Sequence, residues 1–528
     1  MLYTGACRND RAYADSERVE IFKLHKNGRA LNIVYERGVR VSEAIIGIDI
    51  GTSGCRAVIT DINLNIKRVV SADYKTYYPK ADMAVQDPDE IVAAVFQCLR
   101  DGLHDENSVM GIVVGSCFHT LLLTDNRIVP MDRLIPWLDT RATTQARRLF
   151  AESVHTYKTT ACPPSSSYPL SKLVWYKESQ PDILRKAGKV IGIKEYVLYK
   201  LTGELVVDQC VASGTGLFDI HNLKWDANSM ALSGITNKQM ADVVPCVEQL
   251  SLTKQAGSVI GIPPGTPVIA GGGDGLMASL GVGAIQHNDL AVMIGTSAAC
   301  RKLVDKPFID KTGLCRTWCY YFTDNIWAVG TSVNNGGIVY KWFVEHLCGD
   351  LYNSKDNGGN KMQLLLEKLD GLSSKGIVFL PFIRPEREPF WDPEMAAEYI
   401  GIRNEHTLAD LLQSTLQGVN NLVFTMVDMV DEVAGPINRI LATGGFTKLE
   451  PWVKDLASLF RRSLYLPENQ EAAAYGACIL GLSALGHLDS LKEVKSGKSK
   501  KVEPDYSYVD IRNKEYDSFI KHLKAKSK

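Results

Sequence analysis

Apolar and polar positions fall into a few strongly patterned blocks. The β-branched runs Ile45–Ile50 and Ala57–Thr60 flank Gly51-Thr52-Ser53-Gly54, which reads as a tight hairpin. Asp87-Pro88 opens a helix over Pro88–Leu103, with Ile91, Val95, Cys98 and Leu99 at helical spacing. Gly111–Asp125 reads as one strand and carries His119. Pro267–Ala270 reads as a strand running into three glycines, then Asp274 and a small-residue helix. Leu441–Phe446 is a strand ending in Gly444-Gly445, followed by a helix from about Pro451 and an alanine-rich helix over Glu471–Leu485. The first 42 residues are charged and weakly patterned, apart from a short strand at Ala30–Glu36. Beyond Lys492 the chain reads as a Lys-rich tail with a short helix near Lys514–Ala525. Alternating strands and helices predict an α/β protein.

The first hairpin carries chemistry. Gly51 and Gly54 admit a ligand close to the backbone, and Thr52 and Ser53 add hydroxyls beside exposed amides, a combination that cradles an anion such as phosphate. Asp49 sets a carboxylate at the mouth of the turn, where a hydrated Mg²⁺ can sit. An ordinary hairpin with a turn aspartate fits equally well until the stretch is heard again. Ala291–Leu303 repeats Ile-Gly-Thr-Ser and then Cys-Arg. The two copies lie 244 residues apart, from Gly51 to Gly295, too far for a solenoid and suited to two similar domains.

Bulk properties narrow the classes. The 528 residues suffice for two domains with full cores, and 59 basic against 60 acidic residues leave no field to attract nucleic acid or a membrane surface. The 12 cysteines form no Cys-x-x-Cys pair, which argues against zinc or a disulfide framework and for a reducing compartment. No stretch is long and apolar enough to span a bilayer, so a cytoplasmic location is expected.

Two phosphate hairpins facing one cleft resemble the actin-like ATPase arrangement, and this pair resembles the FGGY family of carbohydrate kinases. The likeness runs from Ile45 to Leu485. Phe118-His119-Thr120-Leu121 and Trp137-Leu138-Asp139-Thr140-Arg141 are similar to stretches of the members that act on gluconate or xylulose; glycerol kinases carry Arg-Glu where Phe118-His119 stands. Tyr168–Leu173, Ile191–Tyr196, Ala212–Phe218 and Asn334–Gly337 resemble the gluconate-acting members in particular, while Ala161–Tyr168 departs from them.

The resemblance implies two actin-like (ribonuclease H-like) domains with a cleft between them. The expected divisions are an extension over 1–43, an N-terminal domain over 44–283, a C-terminal domain over 284–490 and a tail over 491–528. It implies ATP and Mg²⁺ as cofactors and a small sugar or sugar acid as substrate, and leaves a homodimer open. ATP contacts are expected from Thr52, Ser53, Gly54, Arg56, Gly295, Thr296, Ser297, Gly337, Gly444 and Gly445, with Asp49 near the metal. Asp274 is the expected general base. His119, Asp139, Arg141 and Lys172 are expected at the substrate with Asp274, Arg141 and then Lys172 being the cations offered to a carboxylate.

Overall fold

The computed structural model describes residues 18–24, 30–36 and 43–526, apart from 104–107, 153, 287, 350–368, 370–372, 387–388, 392–393, 470 and 495–496. Of the predicted N-terminal extension, strands Arg18–Leu24 and Ala30–Glu36 pair antiparallel; the remainder lies outside the described residues.

Two large mixed sheets organise the rest. The first has six strands, ordered Gln249–Ser251, Pro267–Ile269, Ser108–Ser116, Glu43–Ile50, Gly54–Asp61 and Ile66–Asp73. The second has seven, ordered Trp318–Thr323, Ile326–Val333, Ala298–Val304, Asp289–Ile294, Arg439–Thr443, Leu464–Pro467 and Ser499–Val502. In each sheet a hairpin strand is antiparallel to its turn partner on one side and parallel to a later strand on the other. The repeat of Ile-Gly-Thr-Ser is therefore a repeat of topology. Central strands such as Glu43–Ile50 read as unbroken apolar runs because helices cover both faces of the sheet.

The two halves share a core. Helix Ala472–Ala484 follows strand Leu464–Pro467 of the second sheet but packs on the first sheet and against helix Asp274–Gly281. The contact is backbone against backbone: a Cβ at Gly476 would overlap the Met277 carbonyl oxygen, and one at Gly281 would overlap that of Ala472. Small residues let the helices touch and lock the start of Asp274–Gly281 between the sheets. Among described residues no helix is long and apolar enough to cross a membrane, and the described cysteines are free and buried.

Two expectations change. His119 does not lie in a strand: the strand stops at Ser116, and His119 turns the chain with φ +65° before Leu122–Thr124 resumes. The apolar run continues past the turn because the loop itself is buried, which is why periodicity missed the break. The Lys-rich C-terminus carries the expected helix, longer than the spacing suggested and docked on the second half. Ser499–Val502 extends the second sheet, and helix Val509–Lys526 docks through Phe519, Leu523 and a fully buried Arg512. The guanidinium of Arg512 meets Asp455 at 2.7 Å and donates to Glu515 at 2.8 Å and Asn421 at 3.0 Å.

Arg512→Leu leaves Asp455 buried without its counter-charge, though still accepting from Asn420 at 2.7 Å, which costs up to about 3–5 kcal/mol on the scale of broken buried pairs. The expected result is a clearly lower urea midpoint than wild type. An unchanged midpoint would mean that the C-terminal helix adds nothing to the domain it covers.

Candidate active site

The carboxyl ends of three neighbouring strands build one wall of a cleft. Asp49 is in register with Gly115, Ile50 with Ser116, and Ser116 bridges to Gly273, the residue before Asp274. Asp49 and Asp274 therefore stand at the same sheet edge. Burial pushes the Asp49 carboxyl up to about 7; the charge of Asp274 pushes the same way, and Arg56 opposes it. Asp274 is also raised, by burial, against the pull of Arg301 and the Gly275 N–H. The Oδ1 atom of Asp49 is shut from solvent with no hydrogen-bond partner. Two repelling carboxylates, one with an orphaned oxygen, form a donor set that suits a hard divalent cation.

The first hairpin turn is closed by Gly51 N–H donating to Gly54 O at 2.9 Å. Trp137 Nε1 donates to the Thr52 hydroxyl at 3.0 Å and Gln86 Nε2 to the Thr52 carbonyl at 2.7 Å, while Tyr74 donates to Gly51 O. Ser53 is exposed at the tip and Gly54 opens the returning strand. Arg56, opposite Asp49, leans toward Glu471 at 3.4 Å with more than half its side chain in solvent.

The second hairpin is held differently. Gly337 N–H donates to Gly295 O at 2.6 Å, and Gly336 and Ile338 both donate to Thr296 O at 3.2 Å, so helix Gly337–Leu347 begins on the turn itself. A Cβ at Gly337 would lie 2.6 Å from Gly295 O. Gly444, at φ +110°, runs so close to Ile294 that a Cβ would overlap its carbonyl oxygen, and Gly445 beside it is open. Gly295, Thr296, Ser297, Gly337, Gly444 and Gly445, scattered over 151 positions of sequence numbering from 295 to 445, thus gather at one place. Glu386 fixes the approach to this helix by accepting from Asn334 N at 2.6 Å and Asn335 Nδ2 at 2.7 Å.

Phe118 fills the space that a side chain at Gly273, the residue before Asp274, would need, and His119 is the next residue along the chain. His119 Nδ1 lies 2.6 Å from Gly214 O. A nitrogen hydrogen-bonded to a carbonyl carries the proton, so Nδ1 donates to Gly214 O. The His119 ring stands edge-on to Tyr168 at 4.4 Å and lies 5.9 Å from Tyr320, and the two tyrosine hydroxyls are 2.5 Å apart. Tyr320 comes from the second sheet, and Cys319 N–H donates to Ala161 O at 3.1 Å. The divergent Ala161–Tyr168 loop is therefore where the two halves meet.

Neither cation offered to a carboxylate stands open. Arg141 grips Asp139 with Nε and Nη2, both at 2.8 Å, with only 6% of its side chain exposed, and Asp139 also accepts from Ala84 N at 2.7 Å. Lys172 is fully buried and donates to His119 O and Pro136 O, both at 2.8 Å. Burial lowers the Lys172 ammonium to about 7, with Asp139 pulling it back up. Lys172 thereby holds the turn at His119, while Asp139 and Arg141 pair with each other. Sequence spacing places Asp139 and Arg141 on one side of the chain but says nothing of which partner each finds; they find each other.

Sequence reasoning passed over Arg301, whose guanidinium lies against Gly275, although the repeated Cys-Arg was its signal. It also passed over Tyr320, Gln86 and Trp137 as parts of the site. Tyr320 gives no local signal, because it reaches the cleft through the contact between domains.

The Asp49 carboxyl, ordinarily near 4 when unfolded, is raised to about 7 in the folded chain. Such a group contributes stability that is full below about pH 4 and is lost as pH rises through 7. Without divalent cations, Asp49→Asn is expected to melt close to wild type at pH 4 and several degrees above it at pH 8.5. Thermal unfolding at the two pH values checks this. Equal differences at both would place Asp49 as an ordinary ionised carboxylate.

Comparison with known proteins agrees with this geometry. The N-terminal domain model of the FGGY family of carbohydrate kinases matches residues 44–281, and the C-terminal domain model matches 290–485. The chain is 34% identical to the gluconokinase of Bacillus subtilis (strain 168) over 487 residues, covering 90% of this chain and 94% of that one. It is 23% identical to a xylulose kinase of Staphylococcus epidermidis over 461 residues, covering 86% and 90%. A solved gluconate kinase from Lactobacillus acidophilus superposes with a TM-score of 0.86 at 26% identity, over 92% of this chain and 98% of that one. With both domain models matched in order along most of its length, and with two topologically repeated hairpins closing on one cleft, the chain belongs to the FGGY family of carbohydrate kinases.

Proposed function

We propose that this kinase transfers the γ-phosphoryl group of ATP to D-gluconate, giving 6-phosphogluconate. The observation that carries the substrate is the near full-length likeness to gluconokinases at 34% identity, against 23% for xylulose kinases over a similar span. Xylulose, or another ketose or polyol, is the second reading, because a xylulose kinase structure from Lactobacillus acidophilus superposes equally well, with a TM-score of 0.86.

In this reading the nucleotide lies along the second sheet. Gly444, Gly445 and Gly337 make room for it, and its phosphates meet Thr52–Gly54 on one side and Gly295–Ser297 on the other. Asp49 and its orphaned oxygen would hold Mg²⁺, which neutralises phosphate charge when bound. Arg56 adds positive charge at the rim. The sugar lies beside His119, Tyr168 and Tyr320, with the reacting hydroxyl toward Asp274. The hydroxyl oxygen bonds to phosphorus as the bond to ADP breaks, and the hydroxyl proton passes to the Asp274 carboxylate. The chain's contribution is placement and charge, and closure of the two sheets on the cleft keeps out water that would otherwise take the phosphoryl group.

Two measurements test this. Side-by-side kcat/KM values for gluconate, xylulose and glycerol are expected to favour gluconate by at least ~10-fold, about 1.4 kcal/mol of discrimination. A preference for xylulose would move the assignment to the second reading. Asp274→Asn keeps the size of the side chain but cannot take a proton, so kcat should fall at least ~10²-fold with ATP binding retained. Near-normal turnover would remove Asp274 from the chemistry.

A further inference from the structure

The geometry points to Arg301 as a further catalytic residue, carried across the cleft by the second hairpin to grip the phosphoryl group in flight. This rests on the reading of Asp274 as the base.

Arg301 lies on Ala298–Val304, the strand that leaves the second phosphate turn. Its guanidinium reaches the other half of the molecule and seats on Gly275, the residue after Asp274. A Cβ built at Gly275 would lie 2.6 Å from Arg301 Nε and 2.8 Å from both Cζ and Nη2. Glycine at 275 is thus what admits the planar group, and a side chain there would push it out.

Gly275 is in the first turn of helix Asp274–Gly281, where the helix dipole presents positive potential and repels a cation. Asp274 offsets only one charge, and it must lose that charge when it takes a proton from substrate. Helix terminus and guanidinium then both direct positive potential at the space beside Asp274, where the phosphoryl group passes in this reading. A planar guanidinium can hold two of its oxygens at once.

The repeat itself offers a control. Arg56 and Arg301 each follow their turn as Cys-Arg, yet Arg56 faces Glu471 at 3.4 Å and is mostly in solvent, whereas Arg301 is half-buried over the base. One arginine of the pair has kept the cleft.

In the transfer, the substrate oxygen forms its bond to phosphorus, the bond to the ADP oxygen breaks with its electron pair leaving on ADP, and the proton goes to Asp274. Arg301 remains protonated throughout and donates to the equatorial phosphoryl oxygens, whose negative charge is greatest midway.

The test uses full-length Arg301→Gln and Arg301→Ala. Loss of a cis arginine should lower kcat by about 10³-fold, with ADP affinity and KM for gluconate changed by less than about threefold, since the contact matters most in the transition state. Trapping of ADP–aluminium fluoride together with gluconate should be lost in both variants. Millimolar guanidinium should restore part of the Arg301→Ala turnover, which a structural role would not allow. A kcat within threefold of wild type overturns the inference. So does a loss that appears equally in ADP affinity with no guanidinium rescue. If either variant unfolds, Arg301→Lys keeps the charge and stem: a loss of about 10-fold or more supports the planar grip, and wild-type turnover contradicts it. Asp274→Asn run alongside separates the failures. A dead Asp274→Asn with a normal Arg301→Gln removes this inference alone; a normal Asp274→Asn with a slow Arg301→Gln removes the base and leaves the arginine.

Discussion

Everything in the cleft depends on holding two carboxylates of like charge at one poorly solvated sheet edge. Asp49 near the end of one strand and Asp274 at the start of the helix that follows another stand on either side of strand Ser108–Ser116, both are raised by burial, and one oxygen of Asp49 finds no hydrogen-bond partner. Such a pair is unfavourable in the free protein and favourable once cations arrive. The arginines around it are arranged accordingly. Arg56 is opposite Asp49 on the hairpin, and Arg301 comes over Asp274 from the other half. The site is thus built as an incomplete charge pattern that a metal–nucleotide fills.

That pattern can be held only if the two halves are firmly related. The glycine packing of Asp274–Gly281 against Ala472–Ala484 does this, because two backbones in contact leave little freedom to slide. The helix that begins at Asp274 is pinned by a helix from the far half, and one core cluster joins Ile45 and Val113 of the first sheet to Tyr320 and Ala328 of the second, with Met277 and Cys478 of the two helices between them. The Tyr168–Tyr320 hydroxyl contact closes the same interface on the sugar side. Local strain is accepted where it serves this end. His119 keeps a left-handed backbone because Lys172 holds its carbonyl and Gly214 its ring.

How much of this the sequence discloses follows from the range of each interaction. The hairpins, the glycine-rich approach to Asp274 and the Gly444-Gly445 turn are legible because their chemistry is local: glycine, hydroxyl and carboxylate within a few residues. Their convergence is legible only through the repeat, since a topology used twice must face itself across a cleft. Partner choice is not legible. Arg141 and Lys172 have the right charge for a sugar acid, yet Asp139 and two carbonyls take them, and nothing at i±3 announces this. Buried turns also hide from periodicity, as His119 shows. The C-terminal lysines conceal the docking of their helix for a related reason: its outer face is basic, while its inner face carries Arg512 against Asp455.

The central claim is that Asp49 and Asp274 form a strained pair which the metal–nucleotide relieves. Proton exchange on binding measures it most directly. Titrating a non-hydrolysable MgATP analogue into the enzyme at pH 6.5, by calorimetry in buffers of different ionisation enthalpy, should show net proton release in wild type as Asp49 is driven to its charged form. The release should be absent in Asp49→Asn. Binding without proton release in wild type would mean that the pair is already ionised, and the account of the cleft as an unfilled charge pattern would be wrong.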